Sequence, residues 1–157
     1  MSEASDSAQV GEFVEAQGQA WTLSHITPQI RGKLSGWLKM RARADLASRQ
    51  AEMSPEAYRE ERDALTEEIA GGSYNWGSPF DPKAMGSAVR AALRQPEANL
   101  RLLQLLLEPD HGEVPPEKVG AIAAEKPGKV LLAMQACLEL PLSVPNERAP
   151  ASQTGAA

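Results

Sequence analysis

Proline divides this chain of 157 residues into segments that begin like α-helices. Proline is favoured in the first turn of a helix, where an N–H group would have no partner, and a preceding threonine or serine can cap the helix. Thr27-Pro28 and Ser54-Pro55 carry both signals, and further proline starts lie at 81–82, 96, 116 and 127. Val, Ile and aromatic residues, which favour strands, are few. The pattern predicts a mainly α-helical, compact protein of about five helices.

Apolar residues follow these starts at helical spacing. The first helix is predicted from 27 to about 48, the second from 54 to the Gly71-Gly72 stop, and the third from Asp81-Pro82 to Leu93, with Met85 and Val89 among its apolar residues. The fourth begins at 96, is ended by Pro109 and Gly112, and carries leucine almost all round, at Leu100, Leu102, Leu103, Leu105, Leu106 and Leu107. A helix of that kind is buried on several sides, so we place it at the centre of the core. The last pair is predicted at 116–125 and 127–140.

A β-hairpin is predicted at residues 13–26, before the first helix. Two short runs, 13–16 and 21–26, flank Gln17-Gly18-Gln19, and the second alternates with Trp21, Leu23 and His25 on one face. Residues 11–140 are therefore expected to form a single helical domain that includes this hairpin. Residues 1–10 and 141–157 are small and polar, or rich in proline, and are predicted to be disordered tails.

Composition narrows the possible functions. The net charge is −5 and the pI is about 5.1, so nothing draws the whole protein to nucleic acid or to anionic membranes. The single cysteine, Cys137, excludes an intramolecular disulfide and a cysteine-built metal site, and burial as a small apolar residue is its predicted role. No apolar run approaches the ~20 residues that cross a bilayer, and the N-terminus is unlike a secretory signal. We expect a cytoplasmic protein without metal or cofactor.

Charge is segregated between the first two predicted helices. Residues 31–49 contain six basic side chains and one acidic one, whereas residues 52–68 contain seven acidic and two basic ones. If the helices fold back antiparallel, their opposite charges can face and neutralise each other. The basic segment is the one place where nucleic acid could bind, because phosphate contacts need clustered Lys and Arg. We expect that binding to be weak.

Large aromatic side chains mark the candidate binding residues. Tyr74, Trp76 and Phe80, three of the seven aromatic residues, lie in a stretch that Gly and Pro make irregular. Such rings either pack on their own core or contact a partner, and Trp and Tyr are common anchors of interfaces. With Trp37 on the basic helix, they are the predicted partner-binding residues.

Candidate catalytic groups are sparse. The run Asp110-His111-Gly112-Glu113 holds one of two histidines and is interpreted as a polar turn after a buried helix. Cys137 has no histidine near it in sequence to act as a base. No convergent set of catalytic or metal-binding residues is found, and we predict that the protein is not an enzyme.

The order of segments resembles that of a known family. A hairpin ending in Trp21-Thr-Leu-Ser-His-Ile-Thr27 leads into a charged helical region, a Tyr-x-Trp-Gly loop, a leucine-rich helix and the run His111 to Val119. Over residues 13–140 this resembles the tail assembly chaperones of long-tailed bacteriophages and prophages. The resemblance implies a mainly helical protein that shields a tail component, often the tape measure protein, in the host cytoplasm. It carries over no catalytic residues.

Three alternatives to the chaperone stay open from the residues alone. A structural head–tail adaptor would remain in the finished particle, whereas a chaperone would leave it. A small nucleic-acid-associated regulator would use the basic segment 31–49. An enzyme is the third alternative. Self-association is possible in each case.

Overall fold

The computed structural model describes residues 11–77 and 85–143, the last five of them by their backbone. Within these ranges the predicted fold class is confirmed: a two-stranded hairpin precedes six helices. The elements are β1 (Glu12–Ala16), β2 (Gln19–Leu23), α1 (Pro28–Arg49), α2 (Pro55–Ala70), α3 (Ser87–Ala92), α4 (Pro96–His111), α5 (Pro116–Glu125) and α6 (Pro127–Ser143). A single 3₁₀ turn, Gln50–Glu52, joins α1 to α2.

Side-chain caps fix the starts of the first two helices as the sequence predicts. Thr27 Oγ1 accepts the N–H of Ile30 at 3.1 Å, and Ser54 Oγ accepts the N–H of Ala57 at 3.0 Å. Each bond satisfies a donor that the first turn of a helix leaves without a partner.

The hairpin turns at Gln17 and Gly18, whose φ angles of 54° and 80° are both positive. Two positive φ angles in a two-residue loop define a type I′ turn, which matches the twist of the adjoining strands. The register pairs Val14 with Trp21, and both side chains are buried on the face that packs on the helices. Trp21 Nε1 donates to the carbonyl of Ala16 at 2.9 Å, so the buried indole has its hydrogen bond.

The leucine-rich helix α4 occupies the centre of the core, as predicted. It packs against β2, α1 and α5, while α6 packs against β1 and α5. Five of its six leucines are buried, and Leu100 alone among them lies at the surface. By contrast α2 packs on α1 and contributes no fully buried side chain.

The third helix begins later than the sequence predicts. The start at Asp81-Pro82 lies outside the described residues, and Met85 forms an antiparallel bridge with Trp76 instead of a helical turn. A Cβ added to Gly86 would lie 2.1 Å from the carbonyl oxygen of Ser73, so the two segments touch backbone to backbone. These contacts hold Met85 and Gly86 in extended backbone, and α3 begins at Ser87.

The ends of two helices can be compared with prediction. α4 runs through Pro109 to His111 and stops at Gly112, one of the two residues predicted to end it, whose φ of 71° no side-chain-bearing residue adopts easily. α6 runs to Ser143, three residues beyond the helix end predicted at Leu140, so residues 141–143 of the predicted C-terminal tail are helical. Residues 1–10 and 144–157 lie outside the described residues.

The predicted neutralisation of α1 by α2 is largely wrong. The helices pack side by side, but among the described residues one ion pair joins them, from Arg49 Nη1 to Glu61 Oε1 at 3.2 Å. α1 lies between α2 and α4, and two of its other cations pair with α4. Most carboxylates of α2 therefore face solvent.

Candidate protein-binding surface

Trp37 lies on the side of α1 that faces α4, half-buried against the core. Its ring has a cation on each helix: the guanidinium carbon of Arg41 is 4.8 Å from the ring centroid, and that of Arg101 is 6.0 Å away. A cation over an indole face is attracted by the ring quadrupole. These contacts hold the indole in place at the junction of the two helices.

An open groove of about 370 Å³ surrounds this indole. It is lined by Lys33, Gly36, Trp37 and Met40 of α1 and by Arg101, Leu105 and Glu108 of α4. Met40 is 59% exposed, although it is a large apolar side chain on a well-formed helix. Gly36 has no other atom within 4 Å of where a side chain would begin, so the groove is open beside the indole.

Ion pairs between α1 and α4 border the groove. Lys33 Nζ lies 2.9 Å from Glu108 Oε1, and Arg41 Nη2 lies 2.8 Å from Glu97 Oε1. All four side chains are well exposed, so the pairs orient the helices more than they stabilise them. An apolar centre with a charged rim is the composition of many protein interfaces.

Trp76 belongs to the core. Its side chain is 9% exposed and packs in the main apolar cluster, while its backbone pairs with Met85. Of the two alternatives for rings on an irregular segment, packing on the protein itself therefore describes Trp76.

Tyr74 lies in another groove, away from the indole of Trp37. It packs half-buried against the core beside Leu46 and Leu65, in an opening between α1 and α2 of about 280 Å³. The hydroxyl of Ser35 donates to its carbonyl, and burial, with the nearby Glu68 carboxylate, raises the pKa of its phenol. Phe80 lies outside the described residues. Of the described candidates, Trp76 lies in the core, Tyr74 lies between α1 and α2, and Trp37 lines the groove between α1 and α4.

Three other exposed apolar side chains are not among the binding residues predicted from the sequence. Phe13 of β1 is 63% exposed, and Leu131 and Leu132 of α6 are 53% and 67% exposed. Strand alternation could have identified Phe13, since its neighbour Val14 is buried and successive side chains point to opposite faces. No comparable rule identifies Leu131, because an apolar helix does not reveal which side its neighbours leave open.

Two candidate reactive groups have structural roles. Cys137 is fully buried, its Sγ donates to the carbonyl of Leu23 at 3.5 Å, and burial raises the pKa of the thiol to about 12. At neutral pH it stays a protonated thiol, as expected for a packed cysteine. His111 is the last residue of α4, and its Nε2 accepts the N–H of Thr22 at 2.9 Å.

Metal-ligand clusters and membrane-spanning helices are both absent from the described part of the chain. Within 11–77 and 85–143, no three or more His, Cys, Asp or Glu side chains converge as metal ligands would. In the same ranges no helix is both long and apolar enough to cross a bilayer.

Comparison of the chain with protein-family models, with curated proteins and with solved structures yields no match in any of the three.

Proposed function

We propose that this protein is a non-enzymatic protein-binding factor and, following its resemblance to tail assembly chaperones, that it shields a phage tail protein in the host cytoplasm during assembly. The groove around Trp37 and Met40 is the observation that supports the binding role. It exposes apolar surface on two rigid helices, so that its presentation does not require the domain to unfold.

The chemistry of the groove suits reversible contact with another chain. Methionine is flexible and polarisable, and it adapts to differently shaped apolar partners. Trp37 supplies a large, pre-positioned ring of the kind that anchors interfaces. Lys33, Arg41 and Arg101 form a charged rim around this apolar centre, and their ion pairs and hydrogen bonds within the protein hold that rim in place.

The regulator alternative receives less support from the same contacts. Lys33 and Arg41 are engaged by carboxylates of α4, and Arg49 is engaged by Glu61 and Asp45. Phosphate binding would have to displace these pairs against a net charge of −5. We therefore rank protein binding above nucleic-acid binding.

The test is affinity capture from cells that produce the phage particle, followed by identification of the captured proteins. Met40→Ser removes apolar surface from the groove without touching the core, and Trp37→Ser removes its anchor. Leu132→Ser is the matched control, because Leu132 is as exposed as Met40 but lies on α6. We expect a tail protein with the wild type and the control, and its loss with both groove variants.

Composition of the purified particle separates the chaperone from the adaptor. A chaperone is absent from mature particles, whereas an adaptor is present in fixed stoichiometry. Retention of the tail protein by both groove variants would move the contact elsewhere on the molecule. Failure of the wild type to capture any tail protein would reject the assembly role.

A further inference from the structure

The hydrogen-bonding pattern of the hairpin follows from its turn. In a hairpin with a two-residue turn, the residues flanking the turn form a hydrogen-bonded pair, and such pairs then alternate with non-hydrogen-bonded ones. The first pair is Ala16 with Gln19, so the pair of Phe13 with Thr22 is of the second kind. The N–H of Thr22 confirms that Phe13 and Thr22 form a non-hydrogen-bonded pair, because it points away from β1 and donates to His111.

The same alternation applies to the opposite edge of the hairpin. The N–H and C=O groups of Phe13 and Glu15 point away from β2, towards the outer side of β1. No described residue forms a hydrogen bond with these four backbone groups. Among the described residues the two edges therefore differ: α4 closes that of β2 through His111, and no described residue closes that of β1.

The side chains of this edge differ from those of an edge protected against pairing. Natural edge strands are protected by charged side chains, lysine above all, by proline or by a bulge; β1 contains no lysine, proline or bulge, and its charged residues are two glutamates. Phe13 and Glu15 lie on its outer face, where both are exposed. Glu12, the other charged residue of the strand, is partly buried on the opposite face, so the exposed face of β1 combines one large apolar ring with one carboxylate.

We infer that the outer edge of β1 binds an extended segment of another protein by strand addition, and that this segment places an apolar residue and a lysine or arginine beside Phe13 and Glu15. Main-chain hydrogen bonds to Phe13 and Glu15 would give affinity for any extended segment. Contacts of every second side chain of that segment with Phe13 and Glu15 would give selectivity. This site is separate from the groove of Trp37.

Charge decides between this occupant and a second copy of the chain. Two β1 strands paired edge to edge would bring four carboxylates, from Glu12 and Glu15 of each copy, into one small sheet. Like charges on neighbouring strands destabilise the pairing. A segment with basic residues converts the same carboxylates into favourable cross-strand neighbours.

The test uses synthetic peptides and residue-resolved amide exchange. The probe is an acetylated, amidated peptide in which threonine alternates with leucine and lysine, so that leucine and lysine share one face of a strand. At millimolar peptide we expect exchange of the Phe13 and Glu15 amides to slow several-fold. The Val14 amide, already within the ladder, should change little. The same peptide with glutamate for lysine should protect weakly, and one with proline for threonine not at all.

Charge reversal in the protein tests the assigned partner. Glu15→Lys should invert the preference, so that the glutamate peptide protects better than the lysine peptide. Glu60→Lys changes the net charge equally on the exposed face of α2 and should leave the preference unaltered.

The inference is overturned if the lysine peptide fails to protect the Phe13 and Glu15 amides, or if the lysine and glutamate peptides protect them equally. Protection in the free protein that rises with its concentration would assign the edge to a second copy, and concentration-independent protection would assign it to the chain itself.

Discussion

The backbone N–H of Thr22 donates a hydrogen bond of 2.9 Å to Nε2 of His111, although 89 residues separate the two in sequence. The imidazole also lies against Trp21, with ring centroids 4.9 Å apart. One side chain at the end of α4 therefore gives the outer edge of β2 both a hydrogen-bond acceptor and an apolar contact. Within residues 11–77 and 85–143, His111 thus closes the outer edge of β2, while the outer edge of β1 has no such hydrogen-bond partner.

His111→Ala is expected to destabilise the fold by about 1–3 kcal/mol, since it leaves a partly buried N–H without an acceptor and removes the ring contact. Urea denaturation followed by circular dichroism measures the loss. His111→Gln keeps a side-chain acceptor and should recover part of it. Equal losses in both variants would show that the ring contact, and not the hydrogen bond, is responsible.

The two tryptophans of the original candidate set should respond differently to truncation. Trp76→Ala opens a cavity in the core and should cost about 3–5 kcal/mol of stability. Trp37→Ala removes a half-buried ring from a groove wall, and we expect about 1–2 kcal/mol. Thermal melting of the two proteins side by side measures this. If Trp76→Ala melts like the wild type, its indole does not belong to the core.

Helix caps and turn residues predict most of the helices and the hairpin, because each of these sequence signals lies within a few residues of the element that it begins or ends. Thr27 and Ser54 cap helices that begin at the next residue, and Gln17-Gly18 supplies the two positive φ angles of the turn. The start of α3 was missed for the opposite reason. Met85 and Gly86 are held in extended backbone by the pairing of Trp76 with Met85 and by the contact of Gly86 with Ser73, which are tertiary events.

The candidate site was only partly predictable. Trp37 was identified as an unusual ring on a basic helix, but its groove is made jointly with α4, and no local pattern indicates which helices will meet. The same holds for charge. The sequence places acidic residues directly after Arg49, yet Lys33 and Arg41 pair with a helix about 60 residues further on.

Leu103 and Leu100 form a matched pair for the central helix. Leu103 is 1% exposed and Leu100 is 38% exposed on the same helix. Leu103→Ala should cost about 2–5 kcal/mol, whereas Leu100→Ala should cost clearly less because solvent replaces part of its contacts. Comparable melting temperatures for the two variants would place the buried face of α4 elsewhere.

The buried thiol predicts a loss of stability in alkali. The pKa of Cys137 is raised from 9.0 to about 12, so the folded protein keeps a proton that the unfolded chain releases. This contribution is fully present below about pH 9 and is lost progressively as the pH rises towards about 12. Urea midpoints measured from pH 8 upwards should fall more steeply for the wild type than for Cys137→Ala, which cannot titrate there. Parallel curves would show that the thiol does not contribute.

Nucleic-acid binding should be weak because carboxylates pair with cations of α1. Removing those carboxylates should strengthen the binding. The wild type is expected to bind DNA or RNA weakly and without sequence preference at physiological salt, because carboxylates hold three of the six α1 cations. Glu97→Gln combined with Glu108→Gln frees Lys33 and Arg41 and makes the protein less acidic. Affinity for a DNA duplex should rise, with a steeper dependence on salt, since each phosphate neutralised releases counterions.

Glu56→Gln combined with Glu60→Gln changes the net charge equally on α2 and controls for the global effect. Submicromolar binding by the wild type at physiological salt would contradict this account and favour a nucleic-acid-associated regulator.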